Sequence, residues 1–431
     1  MSARPPLPEG PWLVVGLARS GAAVARTLSA HGEVIGVDSG RPESPPEGVE
    51  LHLEADGVDL LERVRTVVKS PGVPNEAPAI AAARERGLPV MGEVEVAWRL
   101  LPNRFVAVTG TNGKTTTTEL LGAIWREAAL PVAVAGNVGT PLSSLVGSLD
   151  LAATVVCEVS SFQAEDSVAF APDVALVLNL SEDHLDRHGT FEAYREAKLR
   201  LFANQTPEQV AVTPHDFAVP GAAPRVTFGG GPGADLELRD GALAWHGEPL
   251  LAAAEIRLRG AHNLENAMGA AAAALAAHVP AGAVAGALRT FAGVPHRLEE
   301  VGRSGGVLYV NDSKATNVSA AVRGIEAFEG GVHAILGGSL KGAGFTGLRD
   351  AVAGRCAGCY LIGQAADRLA SDLEGAAPLH RCGDLETAVR AAAAAARPGE
   401  VVLLSPACAS FDQYRDYEER GDHFRSLVPP E

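Results

Sequence analysis

The apolar positions of this 431-residue chain fall into short runs, most of them closed by a turn and followed by an amphipathic or Ala-rich stretch. Residues 12–16 form the first run. Residues 17–20 read as a turn, 21–31 as an Ala-rich helix, and 33–38 as a second strand ending in an acid. Strand, turn, helix, strand is the opening of a doubly wound α/β unit. Residues 41–48 form a loop of Pro, Gly and Glu, 64–68 another strand and 77–86 a helix, and the unit closes near Gly92.

A second unit starts with a strand at 104–108, a glycine loop at 110–114 and a helix at 115–128. Further strands are predicted at 153–159 and 174–178, a helix at 191–202, small strands across 210–248, and an Ala-rich helix at 261–278. The composition changes near Gly293-Val-Pro295, and strands at 307–311, 333–336, 358–362 and 400–404 then alternate with helices. The alternation predicts an α/β protein with parallel sheets in three domains, 1–92, 93–293 and 294–431.

Composition narrows the function. Hydrophobic residues make up 47% and charged residues 20%, which suits buried cores and not a disordered chain. No apolar run approaches the roughly 18–20 uncharged residues of a membrane span. The Pro-rich start lacks the basic and apolar blocks of a signal peptide. A net charge of −16 without a basic cluster argues against nucleic acid as a partner. Five cysteines make no disulfide framework and fit a reducing cytoplasm; the lone Cys356-x-x-Cys359 reads as ordinary packing.

The basic residues are lopsided, with five lysines against 31 arginines. A lysine is compact, flexible and able to lose its proton, so it survives where arginine cannot serve. Lys114, Lys198, Lys314 and Lys341 all fall inside the motifs below. Lys69, beside Ser70-Pro-Gly72, reads as ordinary surface.

The strongest motif is Gly110-Thr111-Asn112-Gly113-Lys114-Thr115-Thr116, between a predicted strand and a predicted helix. Backbone N–H groups and the helix start would face phosphates there. Lys114 would reach the terminal phosphates and the Thr115 hydroxyl would bind Mg²⁺. Val108 occupies the first glycine position of the generic phosphate loop. Glu158, at a strand end, can hold Mg²⁺. Asn179-Leu-Ser-Glu-Asp-His184-Leu-Asp-Arg-His188 packs an Asn, acids and two His after a strand; it reads as a metal or substrate site or as a capped helix start. Lys198 sits on the next helix, where a salt bridge is the default and its survival as lysine weighs against that. His262-Asn263-x-x-Asn266 could cap its helix or touch a base, and Arg297 could reach phosphate. Three loops follow strand ends in the last unit: Asn311-Asp312-Ser-Lys314-Ala-Thr316-Asn317, Gly337-Gly-Ser339-Leu-Lys341, and Ser405-Pro-Ala-Cys-Ala-Ser410-Phe411-Asp412. Together they suggest one crevice.

These motifs in combination resemble the Mur ligases, ATP-dependent amide-forming enzymes of peptidoglycan synthesis. Ser70-Pro-Gly-Val-Pro74, the 405–412 loop and residues 416–424 match the D-glutamate-adding branch. The resemblance implies a Rossmann-like N-terminal domain, a central P-loop ATPase-like domain and a C-terminal Rossmann-like domain. It implies cytoplasmic addition of D-glutamate to UDP-N-acetylmuramoyl-L-alanine through an acyl phosphate, with ATP and two Mg²⁺ ions. Lys114, His184 and Lys198 would be catalytic. Thr115 and Glu158 would ligate one Mg²⁺, with His184 and a carbamylated Lys198 serving the second. Residues 110–116, Asn266, Arg297 and Asp312 would hold ATP. Leu17, Ser20, Asp38, Gly72 and Asn137 would receive the UDP-substrate. Lys314, Thr316, Lys341, Ser410, Phe411 and Tyr417 would receive D-glutamate. No nucleic acid or membrane partner is implied, and a monomer is expected.

The first loop, Gly16-Leu-Ala-Arg-Ser-Gly21, lacks the middle glycine of a dinucleotide fingerprint, which suits a uridine nucleotide better than NAD or FAD. Ser339 stands where the family often has Asp. The alternatives are a sister ligase that adds L-alanine or a diamino acid, a folylpolyglutamate synthase, or a non-catalytic nucleotide-binding protein.

Overall fold

Three sheets organise the chain in this computed structural model, which describes residues 4–42, 44–340 and 344–430. The first comprises β1 (Trp12–Val15), β2 (Val34–Asp38), β3 (Glu50–Leu53), β4 (Thr66–Lys69) and β5 (Val90–Gly92). They run parallel in the order β3-β2-β1-β4-β5. Successive side chains of a strand point to opposite faces. Leu13 and Val15 therefore join one buried cluster with Ile35 and Val67, while Trp12 and Val14 join another with Val34 and Val68. With both faces covered, the strands read as unbroken apolar runs. Each such fully buried side chain contributes roughly 1.5–3 kcal/mol.

The second sheet comprises β6 (Phe105–Thr109), β7 (Val132–Gly136), β8 (Thr154–Glu158), β9 (Val174–Val177), β10 (Val210–Pro214), β11 (Arg225–Gly229), β12 (Leu236–Arg239), β13 (Ala242–Trp245) and β14 (Glu248–Ala252). Its order is β14-β13-β12-β11-β10-β9-β6-β8-β7, parallel except for the β12–β13–β14 meander. The helix Ala261–Ala276 owes its alanines to close packing. Ala270 to Ala274 are fully buried, and a Cβ on Gly269 would lie 2.8 Å from Leu178.

The third sheet comprises β15 (Glu299–Ser304), β16 (Val307–Asn311), β17 (Val332–Gly337), β18 (Cys356–Ile362), β19 (Leu379–Gly383) and β20 (Val401–Leu404). Its order is β15-β16-β20-β17-β18-β19, antiparallel only at β15. The chain divides into two compact units, Met1–Ile256 with Glu265–Thr290, and Arg257–Leu264 with Phe291–Glu431. The first unit carries the first two sheets and the second unit the third.

The strands predicted from apolar runs are present within a residue or two at each end. Five strands escape that pattern: β3, β5, β7, β15 and β19. All five lie at sheet edges. An edge strand is short and often polar, as Glu50, Glu299, Arg303 and Arg381 show here. Among the described residues, no helix is long and apolar enough to cross a membrane. The five cysteines are free thiols.

Candidate functional site

The phosphate loop leaves β6 at the strand's C-terminal end and enters the helix Lys114–Glu127. Gly113 has φ +83°, and a Cβ there would lie 1.9 Å from Asn266 Oδ1. Only glycine permits that turn and that approach. Lys114 Nζ donates to the carbonyls of Gly110 (3.0 Å) and Thr111 (2.9 Å). Asn179 grips the same loop, accepting from Asn112 N at 2.9 Å and donating to Asn112 O at 3.2 Å. Thr116 is buried on the first turn of the helix.

Glu158 ends β8 and is buried. Its Oε2 accepts from the Thr115 hydroxyl at 2.7 Å and its Oε1 from Asn137 Nδ2 at 3.0 Å. A hydroxyl and a carboxylate side by side are the hard oxygen donors that Mg²⁺ takes, with water and phosphate oxygens completing the shell. Among the described residues, no group of three or more His, Cys, Asp or Glu side chains forms a metal cluster by itself. Thr115 and Glu158 thus fit an ion that arrives with a phosphate ligand.

Lys198 does not make the salt bridge that is the default on its helix. Its Nζ donates to Gly110 O at 2.8 Å and lies 4.8 Å from the centre of the Tyr194 ring, and no described carboxylate pairs with it. Burial lowers its pKa to about 6, helped by the charge of Lys114. Tyr194, which sequence reading passed over, also bonds Thr111 Oγ1 at 3.0 Å, and burial pushes its pKa up to about 12. His184 adopts a left-handed backbone (φ 51°) just before the short helix Leu185–His188. Its ring lies 4.9 Å from Phe162 and 6.4 Å from Tyr194.

In the first sheet, Asp38 Oδ2 accepts from Leu17 N at 2.6 Å and Oδ1 from Gly40 N at 2.8 Å. Ser20 is half-buried near the helix start, and Gly72 is exposed on the turn after β4. Lys69 is a correction. Its side chain is 0% exposed and pairs with Glu165 and Asp166, both at 2.9 Å, so it is not surface. Burial raises the Asp166 pKa, against the pull of Lys69.

In the second unit, β16, β20 and β17 are neighbours, so their three C-terminal loops converge. Asp312 is buried, accepts from Ser405 Oγ at 2.7 Å, and has its pKa raised by burial to about 7, with Arg297 opposing the rise. Lys314 Nζ donates to Tyr417 OH at 2.8 Å and sits 4.6 Å from that ring's centre. Thr316 and Phe411 are exposed on these loops and Ser410 is buried. Lys341 lies outside the described residues.

Arg420 was missed from the sequence. It is buried on the helix Tyr417–Leu427 and donates to Ser313 Oγ (2.9 Å), Ser313 O (2.8 Å) and Cys408 O (3.1 Å). Its Nη1 would lie 3.1 Å from a Cβ on Gly338. One guanidinium therefore bonds two of the three loops and lies beside the third. Residues 416–424 mark Arg420's stretch as part of the resemblance, but within that polar helix nothing separates this arginine from surface.

The family description "Mur ligase MurD-like, N-terminal domain" matches residues 11–92, "Mur ligase middle domain" residues 108–274, and "Mur ligase, glutamate ligase domain" residues 296–408. The chain is 43% identical to the UDP-N-acetylmuramoylalanine--D-glutamate ligase of Acidobacterium capsulatum, over 96% of this chain and 95% of that one. It is 44% identical to the protein of the same name from Anaeromyxobacter dehalogenans, over 96% of each. Among solved structures, the UDP-N-acetylmuramate-alanine ligase of Thermotoga maritima has the same fold, with TM-score 0.60 and 18% identity over 97% of this chain and 99% of that one. The MurF ligase of Thermotoga maritima in complex with ADP gives TM-score 0.59 and 19% identity over 96% of this chain and 94% of that one.

Proposed function

The chain belongs to the Mur ligase family, and from that premise we propose that it joins D-glutamate to UDP-N-acetylmuramoyl-L-alanine with cleavage of ATP, in cytoplasmic peptidoglycan precursor synthesis. The observation that carries the reading is the near full-length identity to ligases of that name. The site chemistry supports it.

A carboxylate is a poor acyl donor. The alanyl carboxylate oxygen attacks the γ-phosphorus of ATP, ADP leaves, and an acyl phosphate results. The amine of D-glutamate then attacks the acyl carbon, loses a proton, and inorganic phosphate departs. Charge builds on phosphoryl oxygens, so catalysis is chiefly positioning and electrostatic stabilisation. The N–H groups of residues 110–116 and the start of their helix cradle phosphates, and Lys114 turns from its carbonyl partners to the transferred group. Thr115 and Glu158 are the groups to hold one Mg²⁺, with His184 and a carbamylated Lys198 for a second. Bound Mg²⁺ would draw negative charge from the phosphoryl oxygens.

Leu17, Ser20, Asp38, Gly72 and Asn137 are the proposed UDP-substrate contacts, and Asn266, Arg297 and Asp312 the proposed ATP contacts beyond the loop. Lys314, Thr316, Ser410, Phe411 and Tyr417 are proposed for D-glutamate, with Lys341 as a second cation for its two carboxylates. The test is to incubate the enzyme with ATP, Mg²⁺, UDP-N-acetylmuramoyl-L-alanine and single amino acids, and to weigh the product. D-glutamate should give product. Faster turnover with L-alanine, lysine or meso-diaminopimelate would refute the reading.

A further inference from the structure

Lys69 takes no part in the chemistry above, yet its side chain is fully enclosed. It ends β4, immediately before the turn Ser70-Pro-Gly-Val-Pro74. Its Nζ has four oxygen neighbours: Val73 O at 3.3 Å, Asn75 Oδ1 at 3.0 Å, and Glu165 Oε1 and Asp166 Oδ2 at 2.9 Å each. The first two lie in or beside the turn. The last two lie just beyond the short helix Ser161–Ala164. In a chain that writes most of its cations as arginine, a compact ammonium is kept at this spot. A planar guanidinium is too large and its fork too rigid for a closed set of converging oxygens.

A second cation works on the same turn. Arg187 Nη2 donates to Val73 O at 2.6 Å and reaches Pro71 O at 3.5 Å, so the carbonyls on either side of Gly72 are both held. The same group lies 3.7 Å from Glu165 and packs 4.6 Å from the Phe162 ring centre. Phe162 also carries the rings of His184 and His188. Glu165 is itself fixed relative to Glu158, because Ser160 and Gln163 cap the intervening helix reciprocally. On the other side, the turn packs against the first loop: a Cβ on Gly16 would meet Val73 at 2.5 Å and Ser70 at 3.0 Å. A connected path thus runs from Glu158 along the capped short helix to Glu165, across to Lys69 and the 70–74 turn, and on to Gly16 of the first loop.

We propose that Lys69, with Arg187, is a positioning residue for the UDP-substrate: it fixes the 70–74 turn on Glu165 and Asp166, and so sets where the substrate's carboxylate lies relative to the phosphate-transfer groups around Glu158. The inference rests on the proposed ligase reading and deepens it. Positioning matters because a misplacement of about 1 Å between reacting groups can cost roughly a hundredfold in rate.

Lys69→Met alone would leave the buried Asp166 with only Arg84, at 3.5 Å, as a cationic partner, so folding could confound the result. The test therefore uses the charge-balanced pair Lys69→Met with Asp166→Asn, and separately Arg187→Met, whose side chain is 18% exposed. Initial rates are measured against each substrate, alongside melting curves. The paired variant should melt close to wild type, show a KM for UDP-N-acetylmuramoyl-L-alanine raised roughly tenfold and a lowered kcat, and keep its KM for ATP. Arg187→Met should move the same KM in the same direction. A stable paired variant with a wild-type KM would overturn the proposal and leave Lys69 as a fold-stabilising ion pair. Should the paired variant not fold, an unchanged KM in Arg187→Met would overturn it equally. If the wild type makes no product from this UDP-substrate, the ligase reading fails instead, which separates the two ideas.

Discussion

The glycine loop of the first unit and the three-loop cluster of the second, both proposed to hold substrates, differ in construction. In the first, one contiguous stretch supplies the turn, the backbone donors, Lys114 and Thr115, and the loop's own carbonyls hold both Lys114 and Lys198. In the second, no single loop is a site. Residues 311–317, 337–340 and 405–412 meet because β20 lies between β16 and β17, and Arg420 ties the first and the last of them from a fourth segment. A contiguous site can be written as a motif. A dispersed one is written in sheet order, which neighbouring residues do not specify.

The comparison is broken most forcefully at Lys198. The folded pKa near 6 lies below the ordinary 10.5 because burial disfavours the charged amine. Between those values the unfolded chain binds a proton that the folded chain lacks, so this group makes stability rise with pH from about 6 to 10.5. Below that window both states are protonated and the slope vanishes. The neutral amine is also the form that adds CO₂, releasing a proton and leaving a carbamate. Lys198→Arg cannot do this and keeps a cation beside the loop. It should fold, by its melting curve, yet lose about a hundredfold or more in kcat. Near-normal turnover would show that the amine's hydrogen bond to Gly110, not a carbamate, is what the loop needs.

Arg420 tests the other half. Arg420→Met removes three charged hydrogen bonds and should destabilise the second unit by about 3 kcal/mol. Its burial lowers the guanidinium pKa only to about 10, so the wild-type group is charged throughout the working range. If the loops are held as one site, the KM for D-glutamate should rise roughly tenfold while UDP-substrate binding by calorimetry stays unchanged. Loss confined to stability, with an unchanged KM at low temperature, would mean that the three loops are each fixed by their own strands.

The same contrast explains what could be read in advance. The central strands were legible because both faces are buried, and Gly110 to Thr116 because its chemistry is contiguous. The edge strands β3, β15 and β19 were not, since one side of each lacks a partner strand and their pattern is mixed; β5 is only three residues long, and the apolar β7 has no such account. Lys69 was visible as one of few lysines but was read as surface, because nothing local says that Glu165 and Asp166, nearly a hundred positions away, close over it. Arg420 failed for the same reason: its partners Ser313 and Cys408 belong to other loops.

The smallest expected effect falls on removal of the Ser339 hydroxyl. That hydroxyl reaches Asp412 Oδ1 only at 3.4 Å, whereas the Ser339 backbone N–H donates to Ala409 O at 2.9 Å. The tie between two of the three loops is therefore made by main chain, which a substitution preserves. Ser339→Ala should change stability by less than about 0.5 kcal/mol and leave the KM for D-glutamate within about twofold. Ser339→Asp is different. Asp412 Oδ2 already accepts from Gln364 N at 3.0 Å, so a second carboxylate would stand against a fixed one. That repulsion is worth about 1–4 kcal/mol at such a half-exposed position, and added salt should relieve part of it. Chemical denaturation of both variants at low and high salt decides the matter. A large loss in Ser339→Ala would mean that side chains, not main chain, join these loops, and the dispersed site would then be as easily erased by one substitution as the contiguous one.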